Sequence, residues 1–192
     1  MIRINLPVSQ KEIRKLKVGD EILLSGRIVT ARDMAHKYMI EKKPFYLHEV
    51  LNGSVIYHCG PVVKQARGKY QFVAAGPTTS IREEPYQGKV IGLYKVRGVI
   101  GKGGMGPRTS QALRRYGAVY FSATGGLAAV LADAVKTVEN VYMLKEFGVP
   151  EAMWVINVED LPLVVTMDSH GRSLHNDILE KSRAVFEKLI AG

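Results

Sequence analysis

Three short segments of this chain carry residue types that could do chemistry together. The first is Ala31-Arg32-Asp33-Met34-Ala35-His36-Lys37, in which Arg32 and His36 stand four apart, on one face of a helix. A guanidinium can hold a carboxylate through two parallel hydrogen bonds, and an imidazole beside it can move a proton near neutral pH. The plainer reading makes Arg32 and Asp33 helix-end residues and His36 a packed ring with satisfied nitrogens. The second, Gly76-Pro77-Thr78-Thr79-Ser80-Ile81-Arg82, reads as a rigid turn after a strand that exposes hydroxyls and a guanidinium. The third, Gly101-Lys102-Gly103-Gly104-Met105-Gly106, is a glycine-rich loop between a strand and a helix.

The loop contains G-x-G-x-x-G, but the acid that a dinucleotide site needs about 20 positions on is missing. The following strand ends in Ser122-Ala123-Thr124, and the first acid after the loop is Asp133. A nucleotide P-loop fails as well, with Val96 in place of the first glycine and Gly103 in place of Ser or Thr after the lysine. What remains is a candidate anion site: backbone free of Cβ atoms, a helix amino terminus and the charge of Lys102. The alternative is a tight turn with a solvated lysine. His48, His58, His170 and His175 have no metal-ligand spacing with Cys59 or with each other. Asp168-Ser169-His170-Gly171 reads as a turn after a strand.

These segments need elements to position them. Strands are expected over Glu21 to Val29, Ser54 to His58, Tyr70 to Ala75, Lys89 to Ile100 and Ala118 to Ser122, then near Val141, over Met153 to Val158 and over Leu163 to Met167. Helices are expected in four places: Ala31 to Lys42, capped by Thr30; Pro107 to Tyr116, closed by Gly117; after the Gly125-Gly126 pair to about Thr137; and from about Asn176. The last helix strings Ile178, Leu179, Val185, Phe186, Leu189 and Ile190 along one stripe, read as core. Ser9 and Glu12 form a capping box at a short helix whose Lys11 to Lys17 face is solvated. The result is a mixed α/β protein, a β-rich first lobe followed by an alternating α/β lobe. It reads as a single domain over residues 1–192 with a lobe boundary near Gly88 at most. Arg32, Arg82 and Lys102 then fall on three separate loop or helix starts after strands, where α/β sites assemble.

The chain has 192 residues, a formal net charge of +9 and 46% hydrophobic residues, ordinary globular usage. The cations are spread along the chain, so a basic module binding nucleic acid or another polyanion is the weaker reading, and a site for a small anion the stronger. One cysteine excludes an internal disulfide and a metal or iron–sulfur centre held by this chain's thiolates alone. No apolar run is long enough to span a membrane and no secretory signal is visible, so a cytoplasmic protein is expected.

In order along the chain, Val18-Gly19-Asp20, Ala31-Arg32-Asp33 with His36-Lys37, Tyr57-His58-Cys59-Gly60-Pro61, Gly76 to Ser80 with Arg82, the Gly101 to Gly106 loop and Asp168-Ser169-His170-Gly171 resemble the β subunit of the iron–sulfur-dependent class I fumarate hydratases and L-tartrate dehydratases. The resemblance implies a swivelling β/β/α domain and a separate α subunit that holds a [4Fe–4S] cluster. It implies a hydro-lyase that hydrates fumarate to L-malate, with dehydration of L-tartrate to oxaloacetate as the alternative. Arg32, Arg82 and Lys102 would bind the substrate carboxylates and Thr78 would sit at the reacting carbon. The proton acceptor is Thr78 or His36, and His36 could instead orient Arg32. The chain departs from the family pattern in two places. Glu83-Glu84 follows Arg82 where Met and then Asp or Glu are expected, which bears on the pocket rim or the substrate choice, and Cys59 replaces a small or apolar residue.

Overall fold

The computed structural model describes residues 1–66 and 68–190. The chain runs β1 (Ile2–Asn5), α1 (Gln10–Ile13), β2 (Glu21–Thr30), α2 (Asp33–Lys42), α3 (Tyr46–Leu51), β3 (Val55–Tyr57), β4 (Val62–Ala66) and β5 (Lys69–Ala74). A single 3-10 turn over Ser80–Glu83 leads into α4 (Glu84–Tyr94), β6 (Gly98–Gly101), α5 (Pro107–Tyr116), β7 (Val119–Ser122), α6 (Ala128–Asp133), β8 (Val135–Tyr142), α7 (Leu144–Phe147), β9 (Met153–Met167) and α8 (Leu174–Ile190).

Seven strands form one mixed sheet in the order β1-β2-β3-β6-β7-β9-β8, and β4 and β5 form a separate hairpin. Strands β2, β3, β6 and β7 are parallel neighbours, and antiparallel β9 pairs with β7 on one edge and with β2 on the other. The pairings therefore close a circuit through β2, β3, β6, β7 and β9. The short parallel strands are apolar at consecutive positions because both faces are covered. Val55, Tyr57, Ile100, Val119 and Phe121 join the cluster that includes Ile13, Phe72, Leu131 and Trp154. Their neighbours Ile56, Val99 and Tyr120 face Ala35, Met39, Leu47, Val90, Ile91 and Leu113 of α2 to α5.

Several expectations hold. Ser9 and Glu12 make the reciprocal capping box of α1, and α5 opens on Pro107 and closes on Gly117 at φ +64. Others are corrected. The expected strand from Lys89 to Ile100 is mostly α4, because Gln87, Val90, Ile91 and Tyr94 are buried at helical spacing behind Pro85 at the helix start, and only Gly98–Gly101 is strand. Gly88 lies within α4, packed against Arg108 and Ala112 of α5. The helix expected to reach Thr137 ends at Asp133. Val135, Val138 and Val141 have a helix-like spacing of three because β8 carries register shifts at Val135/Thr137 and Val138/Asn140, each inserting a residue. The two strands expected between Met153 and Met167 are one, bent at Asp160, which takes φ +49. Thr30 does not cap α2. Its hydroxyl donates to the Ala152 carbonyl and accepts from the Trp154 N–H.

The stripe on α8 is not core. Ile178, Leu179, Val185, Phe186, Leu189 and Ile190 are 57% to 76% exposed. Helical periodicity reports that a face wants cover, not that the same chain supplies it. Among the described residues no helix is long and apolar enough to cross a membrane.

Candidate active site

Parallel strands β2, β3 and β6 deliver their carboxyl ends to one side of the sheet, and the chemically promising residues follow directly. Arg32 comes two residues after β2, His58 to Gly60 directly after β3, and Lys102 directly after β6. The Gly76 to Arg82 segment lies across these ends. Thr78 N–H donates to the His58 carbonyl (2.7 Å), Lys102 N–H to the Thr78 carbonyl (3.3 Å) and Ser80 N–H to the Lys102 carbonyl (3.1 Å). Thr78 Oγ1 also donates to the His58 carbonyl at 3.1 Å. The 3-10 turn then brings Arg82 Nε to 3.8 Å from Asp33 Oδ1, next to Arg32 at the start of α2. Arg32 lies across Gly60, where a Cβ would come within 2.6 Å of the guanidinium, and its Nε is 3.3 Å from Glu151 Oε1. Four sequence-predicted residues, Arg32, Thr78, Arg82 and Lys102, thus share one rim, reached by three separate chain segments. Lys102 and Arg82 are exposed, and Arg32 and Thr78 are half-buried.

Under that rim is a polar layer without water access. His36, His58, Ser80 and Gln87 are all 0% exposed. The Gln87 side-chain amide stands 2.8 Å from His36 Nε2 and 2.7 Å from His58 Nε2. His58 Nδ1 meets Ser80 Oγ at 2.8 Å, and the Tyr120 hydroxyl donates to the same oxygen. His36 Nδ1 faces the Arg32 carbonyl at 2.9 Å. Burial pushes both histidines down, His58 to about 3 with help from the neighbouring His36. Both rings are therefore neutral at pH 7. A neutral His36 that donates from Nδ1 must accept at Nε2, so the Gln87 amide, whose Oε1 stands nearest both rings, must turn its NH2 to them for both contacts to be hydrogen bonds. His36, a sequence-predicted catalytic candidate, lies in this layer and not on the rim, and its bond to the Arg32 carbonyl fixes that residue's backbone. Gly101 is the close approach that the layer requires, since a Cβ there would fall 1.8 Å from Ser80 Oγ.

The glycine-rich loop differs from its sequence reading. The amino terminus of α5 already holds an anion, the Glu84 carboxylate, which accepts from Gly106 N–H (2.9 Å), Arg108 N–H (2.8 Å), Thr109 N–H (3.2 Å) and the Thr109 hydroxyl (2.6 Å). Those N–H groups are not free for a ligand, while Lys102 of the proposed anion site faces outward. Glu84 is the acid that the family pattern expects one position beyond Glu83. Glu83 is 0% exposed, beside Asp33 and 3.6 Å from His36 Nδ1. Sequence reasoning missed the structural parts played by Glu83, Glu84, Gln87, Tyr120 and Glu151. Each acts on a residue distant in the chain, and only the Glu83-Glu84 departure drew notice to two of them.

Cys59 is buried, and burial pushes its thiol up to about 12, so it is unsuited to act as a thiolate ligand. Among the described residues no group of three or more His, Cys, Asp or Glu side chains is placed to hold a metal ion. A cleft of about 450 Å³ between α4 and α5, lined by Glu84, Gly88, Arg108 and Tyr116, lies apart from the rim.

The family model described as Fumarase C-terminus matches residues 1–178. A protein of Geobacillus stearothermophilus provisionally named fumarate hydratase class I is 52% identical over 186 residues, 95% of this chain and 35% of that protein. The chain thus spans about a third of that relative. A protein of Methanocaldococcus jannaschii provisionally named L(+)-tartrate dehydratase subunit beta is 44% identical over 95% of this chain and 93% of its own length. The L(+)-tartrate dehydratase subunit beta of Escherichia coli is 37% identical over 89% of this chain and 85% of its own length. With residues 1–178 matched, and with 93% and 85% of the two tartrate dehydratase β subunits covered, the chain belongs to the fumarase carboxy-terminal family.

Proposed function

We propose that this chain is the β-type subunit of a cytoplasmic hydro-lyase acting on a four-carbon dicarboxylate, with reversible hydration of fumarate to L-malate as its reaction. The observation that carries the reading is the convergence of Arg32, Arg82, Lys102 and Thr78 on the carboxyl ends of β2, β3 and β6. The substrate is a dianion, and taking the proton from the carbon next to a carboxylate pushes further negative charge onto that carboxylate. Fixed cations facing it stabilise the transition state more than the ground state. Arg32, held over Gly60, and Arg82, carried on the 3-10 turn, suit two-pronged carboxylate binding, and Lys102 adds a point charge. Thr78 is the rim residue for proton transfer at the reacting carbon. His36 acts beneath it as the group that orients Arg32.

Among the described residues no group of His, Cys, Asp or Glu side chains is placed to hold an iron–sulfur cluster, so in this reading the [4Fe–4S] cluster belongs to a partner α subunit that completes the site. The open rim and the uncovered apolar face of α8 both suit a subunit of a larger assembly. The closed strand circuit with α2 to α5 on one face supports the swivelling β/β/α architecture, one domain over the whole chain.

Dehydration of L-tartrate to oxaloacetate by the same residues is the second reading, favoured by the two relatives named as tartrate dehydratase β subunits. The test is side-by-side turnover of fumarate and L-tartrate by the complex reconstituted with an iron–sulfur subunit. Activity on one of them is expected, and failure on both refutes the assignment. Lys102→Met should then lower turnover about 10²–10³-fold. Thr78→Ala should cost more in kcat than His36→Asn, and the reverse order would move proton transfer away from Thr78.

A further inference from the structure

Glu83 is a buried ionisable group that the proposed reaction does not use. Its side chain is fully enclosed, and among the described residues no donor reaches either carboxyl oxygen. Around it stand Asp33 and His36 of α2, Arg82 of its own turn and Glu151 before β9. The two guanidiniums of the rim are already matched by two carboxylates, Arg82 by Asp33 at 3.8 Å and Arg32 by Glu151 at 3.3 Å. A third negative charge beneath them would turn the surroundings of both arginines against a dianion.

We propose that Glu83 is a positioning residue for substrate carboxylates: held as a neutral acid beside Asp33, it leaves Arg82 and Arg32 their attraction for a dicarboxylate, and its ionisation withdraws that attraction. This rests on the dicarboxylate hydro-lyase reading above. Enclosure without a donor disfavours the carboxylate, and the nearby Asp33 and Glu151 disfavour it further, outweighing Arg82. Glu83 is accordingly pushed up to about 9. His36, neutral and already donating to the Arg32 carbonyl, gives it no hydrogen bond in compensation. The neutral acid keeps its proton and donates a hydrogen bond to Asp33, which stays a carboxylate facing Arg82.

The test uses the complete complex with its iron–sulfur subunit and whichever of fumarate and L-tartrate it turns over. KM and kcat are measured from pH 7 to 9.5 for the native protein, Glu83→Gln and Glu83→Met. One proton lost with a midpoint near 9 raises the native KM about fourfold over that range, with kcat changed less than about twofold. The ratio of KM at pH 9.5 to KM at pH 7 should stay near one in Glu83→Gln, which cannot ionise. Glu83→Met, apolar and similar in size, gives the same readout if the glutamine variant fails to assemble. An unchanged alkaline rise in these variants overturns the inference while leaving the hydro-lyase reading intact. A native complex inactive on both substrates defeats that reading first, and this inference with it.

Discussion

Glu84 makes the amino terminus of α5 a site already filled from within the chain, and replacing it with alanine tests that directly. Its carboxylate accepts from three backbone N–H groups and one hydroxyl at 2.6 to 3.2 Å. Losing a cap costs about 1–2 kcal/mol, and losing a negative charge at a helix amino terminus about 0.3–1 kcal/mol more. The sum of about 1.3–3 kcal/mol corresponds to a fall in Tm of about 3–12 °C for a domain of this size. Thermal unfolding followed by circular dichroism reads this, with Thr109→Ala, which removes one of the four bonds, falling well short of it. A second readout distinguishes a filled site from a merely packed one. In Glu84→Ala the freed N–H groups can bind sulfate, so sulfate should raise Tm over chloride at equal ionic strength by more than it does in the native protein. A Tm loss under about 2 °C, or equal sulfate effects in both proteins, would refute the reasoning.

Two further predictions follow from the layer beneath the rim. Gly101→Ala drives a methyl into Ser80 Oγ, breaking that oxygen's bonds to His58 and Tyr120, and should cost about 2–4 kcal/mol in urea unfolding, whereas Gly103→Ala meets no atom within 4 Å and bears only its φ of +81. His58, held near 3 when folded, binds its proton in the unfolded chain first, so stability falls as pH drops from about 6.5 towards 3, by at most about 1.4 kcal/mol per pH unit. His58→Gln should lose stability less steeply over that window in urea titrations at fixed pH values, and equal slopes would show that His58 titrates normally.

Much of the arrangement was legible in one dimension because its signals are local. The capping box at Ser9 and Glu12, the Pro107 start and Gly117 stop of α5, and the run of strand-end segments carrying Arg32, Thr78, Arg82 and Lys102 each depend on residues within a few positions. The failures share a cause as well. Lys89 to Tyr94 has a β-branched, apolar look that only packing on α5 and the sheet turns into helix, and the valines of β8 mimic a helical period because bulges shift them.

Type, spacing and turn chemistry of the residues thus determined an α/β chain with three cations and a threonine at the ends of strands. The tertiary structure decided which of those residues stand together and which are enclosed. It set Thr78 on the rim and His36 beneath it, gave the helix amino terminus to Glu84, enclosed Glu83 without a donor, and left the α8 stripe outside the core. The physical reason is that burial and charge compensation depend on neighbours brought from elsewhere in the chain, while capping and periodicity do not.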